Sequence, residues 1–343
     1  MRQIIECVPN FSEGRDHVVL EAIADAVRSV EGVQLLDVDP GKATHRTVFT
    51  IVGEAEPVIE AAFRAIQVAA QRIDMRQHSG EHPRMGATDV CPLVPISGIS
   101  MEETVQYAHR LAKRVGEELQ IPVYCYEAAA MHPQRRNLAD IRAGEYEGLK
   151  EKLKNPDWKP DFGPAEFNPQ SGATVIGARN FLVAYNVNLN TTSVRRANSV
   201  AYDVREKGRI KRIGDPINGD IVLDAQGNPV WEPGALKSVK AIGWFIEEYG
   251  IAQISMNLTD ITVCSVHEAF DAVCASALRR GMRVTGSELV GLIPLQAMIA
   301  AGKHYLRLQN RSTGLPEREL IRIAVKSLGL DELKPFDPDK KII

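Results

Sequence analysis

The chain has 343 residues, 44% of them hydrophobic and 25% charged, with a net charge of −3. That length suits two domains with real cores, and the scattered basic residues exclude a dedicated nucleic-acid binder. No run of about 18 apolar residues is present to span a membrane, the start lacks a signal-peptide core, and five cysteines without a C-x-x-C pair fit a reducing cytoplasm.

Residues 4–8 form a short apolar strand. Residues 16–30 have helical spacing, with Val19, Ala22, Ile23, Ala26 and Val27 on one stripe, and Gly32 ends that helix. Strands at 33–38 and 46–52 precede a long helix at 56–73, whose Val58, Ala61, Ala62, Ala65 and Ala69 face inward. The segment 90–96 is interrupted by Pro92 and Pro95, which indicates an edge strand or an irregular segment. Ser100 caps a helix at 101–119 with Glu103 at the capping-box position, and 123–126 is a further strand.

Between 73 and 90 lies His78-Ser79-Gly80-Glu81-His82-Pro83-Arg84-Met85-Gly86. Glycine and proline make this a loop, and Pro83 pushes His82 toward extended backbone. Three readings compete for it. In the first, His82 is a general acid/base, because an imidazole exchanges protons near neutral pH. In the second, His78 and His82 bind a metal, since H-S-G-E-H fits the H-x-x-E-H pattern. That pattern needs a continuous helix, which Gly80 and Pro83 oppose. In the third, His78 caps the preceding helix while Glu81 and Arg84 pair in solvent.

The stretch 157–172 carries Pro160, Pro164 and Pro169, two glycines, and Trp158, Phe162 and Phe167. Prolines suggest a linker, and the aromatics suggest one that folds back and packs. The second half then restarts. A strand at 180–189 and a helix at 191–206 lead into an excursion at 209–233, with a β-hairpin around 221–230. Strands at 237–246 and 252–258, a helix at 265–279 and a strand at 282–284 follow. The expected fold class is therefore α/β (α+β): two similar domains, 1–179 and 180–343, each a mixed β-sheet with helices packed on it around a ferredoxin-like βαββαβ core.

Other polar groups carry two readings each. Asp37 and Asp39 alternate onto one face at a strand end, suited to orienting a histidine or binding an amine, or to plain turn chemistry before Pro40-Gly41. Asn10-Phe11-Ser12-Glu13-Gly14 precedes a helix and offers an anion site or an N-cap by Ser12 or Asp16. Arg135, Arg136 and Arg142 form a basic patch that meets carboxylates or, the favoured reading, a solvated face.

Four blocks of the sequence resemble glutamate formiminotransferases, which occur alone and as the N-terminal part of formiminotransferase-cyclodeaminase. They are Glu6-Cys7-Val8-Pro9-Asn10-Phe11-Ser12-Glu13-Gly14, Gly80-Glu81-His82-Pro83-Arg84-Met85-Gly86-Ala87, Ile141-Arg142-Ala143-Gly144-Glu145-Tyr146-Glu147, and Asp157-Trp158-Lys159-Pro160-Asp161-Phe162-Gly163-Pro164. Shorter matches extend the likeness over nearly the whole chain. The resemblance implies a standalone cytoplasmic homodimer that moves a formimino group from N-formimino-L-glutamate to N5 of tetrahydrofolate, the co-substrate, with no metal. It assigns acid/base catalysis to His82 and substrate binding to Asn10, Asp39 and Arg84. Folate binding falls to Gly163-Pro164-Ala165-Glu166-Phe167-Asn168-Pro169-Gln170-Ser171-Gly172. That stretch lacks the tryptophan of the fused mammalian-type enzymes. A separate cyclodeaminase is the implied consumer of the product. Formyl transfer from N-formyl-L-glutamate and a folate-binding module without turnover remain the alternatives.

Overall fold

Side-chain alternation in the first strands decides which way the sheet faces. β1 (Ile4–Cys7) turns Ile5 and Cys7 into the main apolar cluster and sends Glu6 to the other side. The computed structural model describes residues 2–215 and 218–343, and the chain divides into units Met1–Phe181 and Leu182–Ile343.

The first unit continues with β2 (Asn10–Phe11), α1 (His17–Arg28), β3 (Val33–Gly41), β4 (Arg46–Glu54), α2 (Ala55–Arg72), β5 (Thr88–Ser97), α3 (Met101–Glu118) and β6 (Val123–Glu127). Two short helices, α4 (Leu138–Arg142) and α5 (Glu145–Lys152), precede β7 (Thr174–Ala178). Asp16 caps α1, and Ser100 with Glu103 forms the expected capping box on α3. β1 and β2 are one interrupted strand between β4 and β5, giving the order β3-β4-β1/β2-β5-β7-β6. This is a ferredoxin-like antiparallel core extended by two parallel strands. Helices α1, α2 and α3 bury Ile23, Val27, Ile59, Ile66, Leu111 and Val115 against one face. On the other face, Ile141, Leu149 and Leu153 of α4 and α5 pack on Tyr124, Tyr126 and Val175.

Of the two readings that Pro92 and Pro95 suggested, the edge strand fails, since β5 is central, between β1/β2 and β7, while its register is irregular. Pro95 sits at a register shift opposite Ile5. Pro92 faces Val8, whose N–H donates to the Pro92 carbonyl at 3.1 Å. The return bond from Pro92 cannot exist, and the Asn10 side-chain amide takes its place, donating to the Val8 carbonyl at 2.8 Å.

Two β-bulges turn acids away from the apolar core. On β3 the register skips Leu36, so Val33 and Leu35 face the helices while Asp37 and Asp39 face the opposite side. On β5, Asn10 opposes Val90 and Phe11 opposes Thr88, leaving Asp89 as the extra residue.

The expected back-folding of 157–172 is present. The Tyr124 hydroxyl donates to the Trp158 carbonyl at 2.6 Å, and Phe162 packs on the main cluster. Arg135 is buried on Asp161, so the solvated-face reading fails there; burial keeps water from competing for the pair.

The second unit repeats the core with β8 (Val183–Leu189), α6 (Val194–Val204), β13 (Val239–Ile246), β14 (Ile251–Leu258), α7 (Val266–Arg279) and β15 (Val284–Val290), in the order β13-β14-β8-β15. Between α6 and β13 lie the two-residue strands β9 (Arg209–Ile210), β10 (Arg212–Ile213), β11 (Asp220–Ile221) and β12 (Trp231–Glu232). The tight turn of the expected hairpin closes through Gly227 N–H to Asp224 and Asp224 N–H to Asn228. Pro216 and Ile217 of this excursion lie outside the described residues. Helices α8 (Leu295–Leu308) and α9 (Glu317–Leu328) follow and pack together.

Candidate active site

The histidine loop is irregular backbone laid between the β3–β4 turn and the start of β5. His78 locks it on one side. Its Nε2–H donates to the His45 carbonyl at 2.7 Å, and its Nδ1 accepts from Arg84 Nε at 3.2 Å. The ring stacks on that of His45 with centroids 4.3 Å apart. Burial lowers His78 to about 4, so it is neutral at physiological pH and fully engaged in structure. Arg84 is buried as well. Its guanidinium grips Glu147 at 2.6 and 2.8 Å and Glu145 at 3.1 Å, so the expected Glu81–Arg84 solvent pair does not form. Two carboxylates near Arg84 outcompete the solvated alternative.

Asp89 is the hub on the other side. Its carboxylate accepts from the Met85 N–H at 2.9 Å, from Arg46 Nη1, and from Arg142 Nη2, with Arg142 Nε at 3.3 Å. Burial alone would raise its pKa, but Arg142 and Arg46 hold it well below the carboxylate range. Burial lowers Arg46 to about 10, still charged at neutral pH. Two cations on one anion leave this half-enclosed cluster with an excess positive charge. Arg142 is therefore an ion-pair partner for Asp89 and not part of a solvated patch.

His82 stands beside this cluster. Its Nδ1 lies 2.7 Å from the Pro83 carbonyl, which can only accept, so the proton sits on Nδ1 and the basic lone pair of the neutral ring belongs to Nε2. Burial, then the charges of Arg46 and Arg142, push the ring well below its ordinary 6.5, while Asp89 and the Pro83 carbonyl pull the other way.

The other expected site residues divide. Asn10 shares a cross-strand row with Val48 and Val90, and its Oδ1 accepts from Arg46 Nε at 3.1 Å. Both ends of its amide are thus engaged, one mending the strand and one aiming Arg46. Asp39 opposes Val48 and so occupies the same row on the same face. Arg84 points to Glu145 and Glu147, while Arg46 and Arg142 are the arginines at Asp89. Residues 163–172 end against the histidine loop. Ala87 N–H donates to the Ser171 carbonyl at 2.9 Å, Ala173 N–H to the Met85 carbonyl at 3.1 Å, and Gly86 bridges Gly172. Within the stretch Phe167 meets Tyr146 with centroids 5.4 Å apart.

Gly172 makes that junction possible. A Cβ there would lie 2.2 Å from the Met85 carbonyl oxygen, on backbone with φ of +66°. Gly172→Ala is expected to destabilise the first unit by about 1–3 kcal/mol, read as a lowered urea midpoint with unchanged slope.

Residues 4–179 match the family described as "Formiminotransferase domain, N-terminal subdomain", and residues 184–343 match "Formiminotransferase domain". The chain belongs to the formiminotransferase family. A glutamate formimidoyltransferase of Thermoplasma acidophilum is 42% identical over 94% of this chain and 98% of its own length. That of Streptococcus pyogenes serotype M1 is 40% identical over 90% and 95%. The formimidoyltransferase-cyclodeaminase of Rattus norvegicus is 47% identical over the full chain, which spans 60% of that longer relative. Within this formiminotransferase fold, sequence reading missed Asp89 and the roles of Arg46 and Arg142. The available signal was an aspartate three residues past the loop's closing glycine.

Proposed function

We propose that this chain is a glutamate formimidoyltransferase, moving the formimino group from N-formimino-L-glutamate to N5 of tetrahydrofolate, with His82 as acid/base. The observation that carries this reading is His82 beside a net-positive Arg46–Asp89–Arg142 cluster, on a loop clamped by backbone bonds to residues 163–172. The excess cation suits a donor bearing carboxylates. A carboxylate bound there offsets the arginines and raises His82 toward the range where it takes protons well. His82 Nε2 then accepts the N5 proton as N5 attacks the amidine carbon. The same proton passes to the glutamate nitrogen as the carbon–nitrogen bond breaks, releasing glutamate.

Asp37 and Asp39 favour the formimino donor over the formyl donor. Both lie on the face that carries Asn10, and an amidine is cationic at neutral pH where an amide is not. Turnover of the two donors, followed spectroscopically at equal tetrahydrofolate, is expected to favour formimino-glutamate by about 100-fold or more in kcat/KM. Equal rates would defeat the assignment of the donor. A cytoplasmic homodimer, with a cyclodeaminase reaction consuming the product, completes the reading. The Rattus norvegicus relative, whose name joins the two activities, supports the last of these.

A further inference from the structure

Glu6 is a carboxylate in the middle of a central strand, a costly place for one. It is only 3% exposed, and its side chain projects to the face of the sheet opposite to Ile5 and Cys7. Among the described residues its carboxylate accepts no hydrogen bond, and the charge of Arg179 is its one ionic counterpart. Burial accordingly raises it from the ordinary 4.5 to about 7. Arg179 follows β7 on the same face, and its positive charge acts on the Tyr126 hydroxyl. Tyr126 in turn feels Arg142. Strand register places them in neighbouring rows: Glu6 opposes Val94, Arg179 follows the Ala178 that opposes Leu93, and Tyr126 opposes Gly177. Gly177 lets the Tyr126 ring lie close against β7: a Cβ there would lie 2.4 Å from that ring.

We propose that Glu6, with Arg179 and Tyr126, is the subsite for the 2-amino-4-oxo edge of the reduced pterin. This deepens the transferase reading and rests on it. That edge presents two adjacent N–H donors and one carbonyl acceptor. A carboxylate takes the paired donors bidentately, and a guanidinium supplies the acceptor. Glu6 and Asn10 lie four positions apart on one strand line, about 13 Å at 3.3 Å per residue. That sets Glu6 well apart from Asn10, whose amide accepts from the Arg46 whose charge acts on His82. The span matches a bicyclic ring gripped at its far edge while N5 meets His82. The donor's amidine carbon must itself sit at His82, so Glu6 serves the other reactant.

The test uses the purified full chain, with tetrahydrofolate and p-aminobenzoyl-glutamate, which lacks the pterin, as binding probes. Glu6→Gln keeps the shape and removes the charge. It is expected to weaken tetrahydrofolate about tenfold or more. Affinity for p-aminobenzoyl-glutamate and KM for formimino-glutamate should stay within about twofold, and the melting temperature should not fall, since a buried charge is removed. Arg179→Gln is the second variant and should show the same split. Unchanged tetrahydrofolate affinity in either soluble variant, or equal loss of both probes, overturns the subsite. Unmutated protein that binds tetrahydrofolate but gives no 5-formimino product overturns the transferase reading, visibly apart from the variants.

Discussion

His82→Ala is expected to lower kcat by about 10²–10⁴-fold while tetrahydrofolate affinity stays within a few fold. The Pro83 carbonyl fixes the tautomer, so the variant removes a lone pair already placed for proton transfer. It removes no charge, because the ring is neutral in the free enzyme at pH 7. The same electrostatics set the pH profile. The acid limb of kcat/KM should fall below pH 6.5, where the ring protonates and stops acting as a base. Asp89→Asn should move that limb lower, since Asp89 favours the imidazolium and the arginines oppose it. Full turnover in His82→Ala, measured with formimino-glutamate, would remove the ring from the mechanism.

Asp89→Ala is expected to cost about 3–5 kcal/mol of unfolding free energy, the effect of leaving buried cations unpaired. Arg46 and Arg142 would face one another across the gap, and the Met85 N–H would lose its acceptor. The sign with pH follows from the depressed pKa of Asp89. The carboxylate's contribution is complete above the unfolded value of about 3.9 and is lost only as pH falls toward the folded one. The cost should therefore be equal at pH 6 and pH 8 in urea titrations. Replacing the whole trio with apolar residues, as in Arg46→Met with Asp89→Leu and Arg142→Met, should be milder than Asp89→Ala alone. A triple variant less stable than Asp89→Ala would show that packing, not unpaired charge, sets the cost.

The two βαββαβ cores were legible because apolar spacing switches cleanly between periods of about 3.6 and 2 along each half. The histidine loop was legible because glycine and proline exclude the alternatives. Bulges were not. A strand read by strict alternation carries Asp37 and Asp39 on the same side as Leu35, and only the skipped Leu36 separates them. Proline statistics misplaced β5, since Asn10 supplies the hydrogen bond that Pro92 lacks, a substitution visible only once β1/β2 and β5 are paired. Arg84 met Glu145 and Glu147, partners 61 and 63 residues away, beyond any local reading. Glu6 was legible in principle as an acid between Ile5 and Cys7, yet its meaning required the neighbours on β7 and β6.

The single extra residue on β5 has an evolutionary side. Losing Asp89 outright would restore a regular ladder, with Phe11 and Asn10 facing successive residues, and hydrogen bonding alone would favour the shorter strand. Such a deletion strips two guanidinium groups of their counter-charge in one stroke. Lineages that keep the chemistry must therefore keep the flaw, and a length change at this point should mark descendants that have abandoned it.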